Sequence, residues 1–405
     1  MRSVKISVEG SFWDSQIYSN QFTLFGFDGS IHNIQWDAAI DFIAGLEKNI
    51  SIQTAYRVAF SDGDLFYNPK VRKILKDPSI SNVIKGQLNT LSDLNFNLSL
   101  SDWNGFLTST NSPFDFLPTD TEVYYNTLFA GGDEGLFSSS SYYNSRIKKH
   151  FDGNVLKINA SDRNTALAVA AGQEGLFEFS YNDEPTSVLG QEHLLNSTPC
   201  SACEWAFQSV IGWSSEGAYL ASFLEEKNRN NKKTRRFDRV INENEMFGIT
   251  SNNQYAYVWG SREKIYRVVD GNIEVTNYSP KPKKKNNKNK SQKGYYDTFT
   301  KDGEIKTPFL KSEDIIASGT APFGTVIEKE DEIIVLRSDG GVESFKGDIV
   351  HWRIFPRSEH YNNQLHIIFE EHIQIVSFVH DYFVNQDEKL AGFTKASARG
   401  YEDII

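Results

Sequence analysis

Cysteine is scarce in this sequence, and its scarcity limits how the fold can be stabilised. Two cysteines in 405 residues cannot form the disulfide framework on which small secreted domains depend. A chain of 46.0 kDa can bury an ample hydrophobic core without disulfides or metal ions. The low cysteine content therefore favours a protein that folds in a reducing compartment, and we expect it to be cytoplasmic.

Segments that would direct the chain to a membrane are also absent from the sequence. Residues 1–6 lack the apolar stretch of a signal peptide, and no run approaches the roughly 18 apolar residues that a membrane-spanning helix needs. The net charge of −11 argues against a protein whose whole surface binds nucleic acid. We therefore expect no association with a membrane.

The sequence carries none of the common catalytic or phosphate-binding motifs. It has no Gly-x-x-x-x-Gly-Lys-Ser/Thr phosphate-binding loop, no Gly-x-Ser-x-Gly nucleophile elbow and no His-Glu-x-x-His zinc motif. An enzyme is therefore the less favoured class of protein, and we predict no catalytic residues and no cofactor.

Aromatic residues and a repeated glycine motif are, by contrast, prominent. Aromatic side chains make up 13% of the chain, with 29 Phe and 18 Tyr, which is typical of β-strands. The sequence GDEGLF at residues 132–137 returns as GQEGLF at residues 172–177, each time after a short apolar run. A period of about 40–45 residues built from strand, tight turn and strand is that of one β-propeller blade.

The N-terminal region contains a second pattern of this kind. Asp28-Gly29, followed by Ser30-Ile31 and then by Trp36-Asp37, resembles the end of a WD40 repeat, in which an Asp-Gly turn precedes a strand that closes with Trp-Asp. The spacing is about two residues longer than in that family, and the family's Gly-His element is absent. The sequence is thus similar to the wider β-propeller superfamily, and this resemblance implies protein partners.

These repeats predict an all-β fold, a β-propeller with seven blades, six being the alternative. Asp-Gly recurs at positions 28, 62, 152, 270, 302 and 339, and residues 152–158 are expected to complete the unit that starts at 122. The last unit lacks a fourth strand, which residues 4–8 are expected to supply and so close the last blade. A two-sheet sandwich and a pair of smaller β domains are the architectures that compete with a propeller.

We expect one propeller domain over residues 1–405, with three additions. Residues 41–118 are predicted to be a partly helical insertion between the first and second blades, because their apolar residues recur at helical spacing. Residues 278–300 are predicted to be a basic flexible loop within the propeller, and residues 393–405 a C-terminal tail. The insertion and the tail are the surfaces where we first expect a partner to bind.

Three residues are weak candidates for metal ligands. Cys200 and Cys203 form a Cys-x-x-Cys, and His193 lies seven residues before it. Zinc usually takes four ligands, and the sequence contains no second Cys-x-x-Cys. We therefore favour a structural role for the two cysteines and predict no metal site.

Two basic segments, residues 227–236 and 281–293, are weak candidates for nucleic-acid binding. Their cations could neutralise phosphates, although such charge runs are more often solvated surface loops. The candidate residues are Lys232, Lys233, Arg235, Arg236, Lys283, Lys284 and Lys285.

Acidic and aromatic residues suggest two further hypotheses. Asp133, Glu134 and Glu174 could place carboxylates at the mouth of a propeller channel, as in a hydrolase, although the repeated turn alone explains them. The aromatic residues of the third repeat could anchor a protein interface or pack in the core, and we favour the core for the two tryptophans. They are Trp205, Trp213, Tyr219 and Phe223.

The function that this sequence favours is a non-catalytic scaffold that mediates protein–protein interaction within a multi-protein assembly. The two competing functions are a nucleic-acid-binding subunit that uses residues 227–236 and 281–293, and a hydrolase with its site at the channel mouth. The scaffold interpretation rests on the resemblance of fold, and the sequence leaves the partner and the oligomeric state open.

Overall fold

The structure, a computed structural model, describes residues 1–94, 96–139, 147–182, 188–227, 233–249, 255–269, 271–282, 295–385 and 389–393. The first strand, β1, is Val4–Glu9. Three strands of the first sheet follow it: β2 (Phe12–Tyr18), β3 (Gln21–Gly26) and β4 (Ser30–Gln35). The predicted Asp28-Gly29 turn joins β3 to β4. Gly29 has φ of +81°, and Asp28 Oδ1 accepts a 2.9 Å hydrogen bond from the backbone N–H of Ser30.

A helical segment comes next, before the first sheet is complete. It contains α1 (Trp36–Gly45), α2 (Ile50–Phe60), α3 (Pro69–Leu75) and α4 (Pro78–Ser92), with a 3₁₀ helix at Gly63–Tyr67. Strand β5 (Phe96–Ser99), a 3₁₀ helix (Leu100–Trp103) and strand β6 (Leu107–Asn111) follow. Strand β6 pairs with β4 and completes sheet 1. The prediction that the helices separate two blades is therefore wrong, because they lie between the third and fourth strands of one sheet.

The next four sheets are antiparallel meanders of consecutive strands. Sheet 2 contains β7 (Asp120–Tyr124), β8 (Thr127–Gly132), β9 (Gly135–Ser139) and β10 (Ile147–Phe151). Sheet 3 contains β11 (Lys157–Ser161), β12 (Ala166–Ala170), β13 (Leu176–Tyr181) and β14 (Leu189–Asn196). Sheet 4 contains β15 (Ala202–Ala206), β16 (Ser209–Ser214), β17 (Gly217–Lys227) and β18 (Lys233–Asn242). After α5 (Glu243–Phe247), sheet 5 contains β19 (Tyr257–Ser261), β20 (Lys264–Val269), β21 (Asn272–Pro282) and β22 (Tyr295–Lys306).

The last two sheets follow, with a 3₁₀ helix at Ser312–Asp314 before them and another at Val379–Phe383 after them. Sheet 6 contains β23 (Ala317–Ala321), β24 (Gly324–Lys329), β25 (Glu332–Arg337) and β26 (Val342–Lys346). Sheet 7 contains β27 (Ile349–Ile354), β28 (Gln364–Phe369) and β29 (His372–Ser377). Its fourth strand is β1, which pairs with β29 from Val4 opposite Ser377 to Glu9 opposite His372. The predicted closure of the last blade by the N-terminal strand is therefore confirmed. Strand β5 adds a fifth, parallel strand beside β1.

Seven four-stranded antiparallel units in succession are the repeat of a seven-bladed β-propeller, so the predicted fold class is confirmed and the alternative of six blades is wrong. The predicted phase is shifted: residues 152–158 do not complete sheet 2, because β10 already does so and β11 starts sheet 3. Asp152-Gly153 accordingly joins two sheets. The Asp-Gly at position 62 lies at the start of a 3₁₀ helix, and that at 302 lies inside β22.

The repeated Glu-Gly of the sequence has a steric cause. Gly135, Gly175 and Gly217 lie at the turn into the third strand of sheets 2, 3 and 4, with φ of +121°, +103° and +124°. A β-carbon on Gly135 would lie 2.1 Å from the backbone oxygen of Phe151, and one on Gly175 would lie 2.1 Å from that of Asn196. Only glycine therefore permits the outer strand to approach this turn so closely.

The chain divides into two compact units, residues 1–117 with 316–393 and residues 118–139 with 147–315. Within each unit, the first strands of successive sheets lie against one another: β23, β27 and β2 in one, and β7, β11, β15 and β19 in the other. Buried carboxylates reinforce both sets of contacts. Asp14 on β2 accepts two hydrogen bonds from Arg353 on β27, at 2.9 and 2.6 Å, and Asp120 on β7 accepts one from the backbone N–H of Ile158 on β11, at 2.7 Å.

Hydrophobic cores fill each unit, and in the first unit the helices share the core of the sheets. One cluster includes Val4, Phe22, Trp36, Tyr56 and Trp103, so α1 and α2 pack on sheets 1 and 7. In the second unit, the faces of sheets 2, 3 and 4 form two clusters around Phe129, Phe179 and Trp205. No helix in the described part of the chain is long and apolar enough to cross a membrane.

Candidate functional site

The two cysteines lie in the core of the second unit. Cys200 and Cys203 are both free and buried, and they pack with Leu195, Trp205 and Val210. Burial raises the pKa of the Cys200 thiol to about 11 and that of Cys203 well above its usual value. Metals bind the thiolate, so these surroundings, which keep both thiols protonated, favour a packing role.

His193 lies apart from the cysteines in its contacts. It is exposed on β14, and its ring packs edge-on against Phe237 with centroids 6.1 Å apart. Among the described residues, no group of three close ligand atoms includes His193, Cys200 or Cys203.

The basic candidates are only partly described, and Arg235 has an internal role. Its guanidinium forms an ion pair with Glu178 of sheet 3 and donates to the backbone oxygen of Gln208. Its Cζ also lies 3.3 Å from the centroid of the Phe223 ring and 5.2 Å from that of the Trp205 ring. These contacts join sheets 3 and 4 and leave Arg235 poorly placed to bind phosphate.

The remaining basic candidates are distributed as follows. Arg236, the next residue of β18, is exposed, and Lys233 is the first residue of that strand. Lys232 and Lys283, Lys284 and Lys285 lie outside the described residues. Of the predicted basic loop over residues 278–300, residues 278–282 belong to β21 and residues 295–300 to β22, and residues 283–294 lie outside the described part of the chain. A role for these cations in nucleic-acid binding stays a prediction.

The acidic candidates lie in turns between strands. Asp133 and Glu134 are exposed between β8 and β9. Glu174 precedes β13 and lies against the loop between sheets 2 and 3, where a β-carbon on Gly153 would be 2.3 Å from Glu174 Oε2. Glu174 thus lies close to Gly153, and the hydrolase hypothesis stays a prediction.

The aromatic side chains of sheet 4 belong to the core. Trp205, Trp213, Tyr219 and Phe223 are each at most 5% exposed. Trp205 Nε1 donates a 2.9 Å hydrogen bond to the backbone oxygen of Asn159, which joins sheets 3 and 4. The hypothesis that these aromatics anchor a protein interface is therefore wrong. The C-terminal tail, except for the buried Phe393, lies outside the described residues.

The helical segment is fixed to the sheets by hydrogen bonds at the end of α2. The last carbonyl groups of a helix have no partner within the helix and need one from elsewhere when they are buried. The backbone oxygen of Ala59 accepts from Ser377 Oγ at 2.6 Å, and that of Phe60 accepts from Gln364 Nε2 and Trp36 Nε1, both at 2.9 Å. Side chains of sheet 7 thus complete the hydrogen bonding of this helix.

The third helix is held by the segment that follows sheet 7. Arg72 donates to the backbone oxygens of Tyr382 and Val384, at 3.3 and 2.6 Å. Just before α3, the Tyr67 hydroxyl donates a 2.8 Å hydrogen bond to the buried Asp381 carboxylate. On α4, Lys85 Nζ lies 4.9 Å from the centroid of the Phe383 ring. The inner side of both helices is therefore firmly attached.

The outer side of α3 and α4 exposes large apolar residues beside lysines. Ile74, Ile80 and Val83 are 52%, 41% and 65% exposed. Lys70, Lys73 and Lys76 are exposed as well. We call these six side chains the outer helical surface. Exposed apolar patches rimmed by polar residues mark interaction sites, whereas single exposed apolar residues are common on protein surfaces.

The sequence points to the insertion as a whole but not to these residues. The signal for them is the lysine-rich run from 70 to 76, together with the spacing of α4. Ser81, Leu88 and Leu91 are its buried residues, and Val83 lies off that buried face; Ile80 is in line with Leu91 but is 41% exposed at the first turn of the helix.

Comparison with known proteins adds little beyond the fold. No protein-family model matches this sequence, and no curated protein matches it. Among solved structures, the chain is similar to the WD40 β-propeller domain of Doa1, with 8% sequence identity and a TM-score of 0.45. The match covers 93% of this chain and 96% of that domain.

Proposed function

We propose that this chain is a non-catalytic β-propeller scaffold that binds another protein through the outer helical surface. The observation that carries the proposal is the exposure of Ile74, Ile80 and Val83 on helices whose opposite side is anchored to the sheets and to residues 382–384. A pre-positioned surface loses little conformational entropy when a partner binds, so its apolar contacts contribute more fully to affinity.

The test is an affinity purification from the native cells with two matched double variants. Ile80→Glu with Val83→Glu places two charges on the outer helical surface. Leu194→Glu with Val342→Glu places two charges at exposed apolar residues of sheets 3 and 6, which are 48% and 52% exposed. Thermal unfolding of each variant verifies that it is folded.

We expect a stoichiometric protein partner that survives nuclease treatment, is lost with the first variant and is retained with the second. Retention of the partner by both variants would contradict the proposed surface. A partner that disappears on nuclease treatment would favour nucleic-acid binding through the basic segments at residues 227–236 and 281–293.

A further inference from the structure

Residues 69–92, which include the outer helical surface, carry a net positive charge, in contrast to the chain as a whole. Residues 69–92 contain five cations and a single acid, Asp77, whereas the whole chain has a net charge of −11. Asp77 is the N-cap of α4, and its carboxylate accepts the backbone N–H of Ser79 at 2.9 Å. Its negative charge is therefore directed to the start of a helix.

Three of the five cations have no ion pair and no cation–π contact among the described residues. Arg72 donates hydrogen bonds to backbone oxygens, and Lys85 lies over the Phe383 ring. Lys70, Lys73 and Lys76 are exposed and form no ion pair with a described acidic residue. These three ammonium groups are free to interact with a partner.

The lysines and the apolar residues occur at helical spacing. Lys70, Lys73 and Ile74 are three and four residues apart, so they share one face of α3. Ile80 and Val83 lie about one turn apart on α4. A ligand that fits this pattern must present negative charges together with apolar groups.

We infer that the outer helical surface binds an acidic protein segment whose carboxylates alternate with large apolar side chains. This inference rests on the proposed function and names the chemistry of its partner. The chain as a whole has a net charge of −11, so the complementary charge of residues 69–92 favours α3 and α4 as a binding place for such a segment. A nucleic acid would offer phosphates to the lysines but would leave Ile74, Ile80 and Val83 without apolar contacts, and the surface has no aromatic ring for base stacking.

The experiment measures the binding of a defined probe to the full chain by fluorescence anisotropy. The probe is a labelled peptide of four Glu-Glu-Leu-Leu repeats, and its counterpart has Lys in place of every Glu. One variant combines Lys70→Glu, Lys73→Glu and Lys76→Glu. The matched control combines Lys306→Glu, Lys311→Glu and Lys346→Glu, three exposed lysines outside the helices.

We expect the acidic peptide to bind the unmodified chain and the control variant equally. The first variant should bind it about tenfold more weakly, because three attractive charge pairs at an exposed surface become repulsive. The lysine peptide should not bind. Equal binding of the acidic peptide by both variants, or no binding at all, would overturn the inference.

Two further probes separate different sources of negative charge. Vesicles of phosphatidylserine and a labelled polyuridine strand present anions without an acidic polypeptide. Binding of either one in place of the acidic peptide, with loss in the first variant, would overturn the inference in favour of a membrane or a nucleic acid. The affinity purification distinguishes the two proposals, because a nuclease-resistant partner lost with Ile80→Glu and Val83→Glu would uphold the proposed function even if the acidic peptide does not bind.

Discussion

Lys389 Nζ lies 2.6 Å from Asp381 Oδ1, and the two side chains are only 1% and 0% exposed. Asp381 also accepts hydrogen bonds from Ser338 Oγ at 2.7 Å and from the Tyr67 hydroxyl at 2.8 Å. Burial alone would raise the pKa of Asp381, but the charge of Lys389 and the hydrogen bond from Ser338 lower it, so the carboxylate stays ionised. This ion pair links residue 389, which follows sheet 7, to sheet 6 and to the residues just before α3.

Removal of one partner of this ion pair should strongly destabilise the chain. We expect Lys389→Met to lower the free energy of unfolding by about 3–5 kcal/mol, because Asp381 is left charged and buried. The double variant with Asp381→Asn should lose less than the sum of the two single losses. Urea unfolding measures these losses. The control is Arg2→Gln: Arg2 forms an ion pair with Asp93, and their side chains are 82% and 70% exposed, so this pair should contribute less than about 1 kcal/mol.

Alanine at a repeated turn glycine should be harmful, whereas alanine at a helical glycine should be favourable. Gly175→Ala is expected to cost about 1–3 kcal/mol, because its φ is +103° and its β-carbon would overlap the backbone oxygen of Asn196. Gly86→Ala on α4, where an added β-carbon would meet no atom within 4 Å beyond its own helix backbone and chain neighbours, should gain about 0.5–1 kcal/mol. Chemical denaturation of both variants gives the comparison, and losses of equal size would contradict the steric explanation.

Arg235 should matter for stability because its ion pair with Glu178 lies between sheets 3 and 4. We expect Arg235→Gln to lower the free energy of unfolding by about 2–3 kcal/mol, since the Glu178 carboxylate, 12% exposed, loses its ionic partner. The same change at the exposed neighbour Arg236 should cost less than about 1 kcal/mol. Thermal unfolding of the two variants tests this, and the reverse order of losses would show that Arg235 is not a structural residue.

The buried His366 should make stability depend on pH. Burial, assisted by the charge of Arg353, lowers the pKa of His366 to about 3, so the folded chain keeps the imidazole neutral while the unfolded chain binds a proton near pH 6.5. Stability due to this group is therefore complete above pH 6.5. It falls by up to about 1.4 kcal/mol per pH unit as the pH drops from 6.5 towards 3.

The measurement compares the unmodified chain with His366→Gln by urea unfolding at pH 7 and pH 5. We expect the variant to lose about 2 kcal/mol less than the unmodified chain between these two pH values, because it lacks the titrating group. Parallel losses in both chains would contradict the assignment, whatever the stability of the variant at pH 7.

Much of the architecture could be predicted from local patterns. The Glu-Gly pairs near 134 and 174 mark tight turns with positive φ, which only glycine adopts readily, so the blade period is visible in the sequence. The assignment of strands to blades could not be predicted so well, because alternating apolar residues show that a strand exists but not which sheet it joins. Residues 152–158, assigned to the wrong sheet, are an example of this limit.

The candidate site also depends on packing that local sequence patterns do not specify. The sequence indicates helices over parts of 41–118, but whether Trp36 or Val83 faces the core depends on what packs beside each helix. The aromatic residues of sheet 4 resemble possible interface anchors in the sequence, and only the packing of sheets 3 and 4 shows that they are buried.

The sequence by itself determines the β-strand repeat, the glycine turns and the missing strand that β1 supplies, because each depends on backbone conformation and on apolar alternation over a few neighbouring residues. Tertiary structure alone decides that β6 completes sheet 1 after the helices, that Lys389 meets Asp381, and that the lysines of α3 have no carboxylate partner among the described residues. These features join residues far apart in the chain. Their free energies depend on burial and on charge partners that no local pattern specifies.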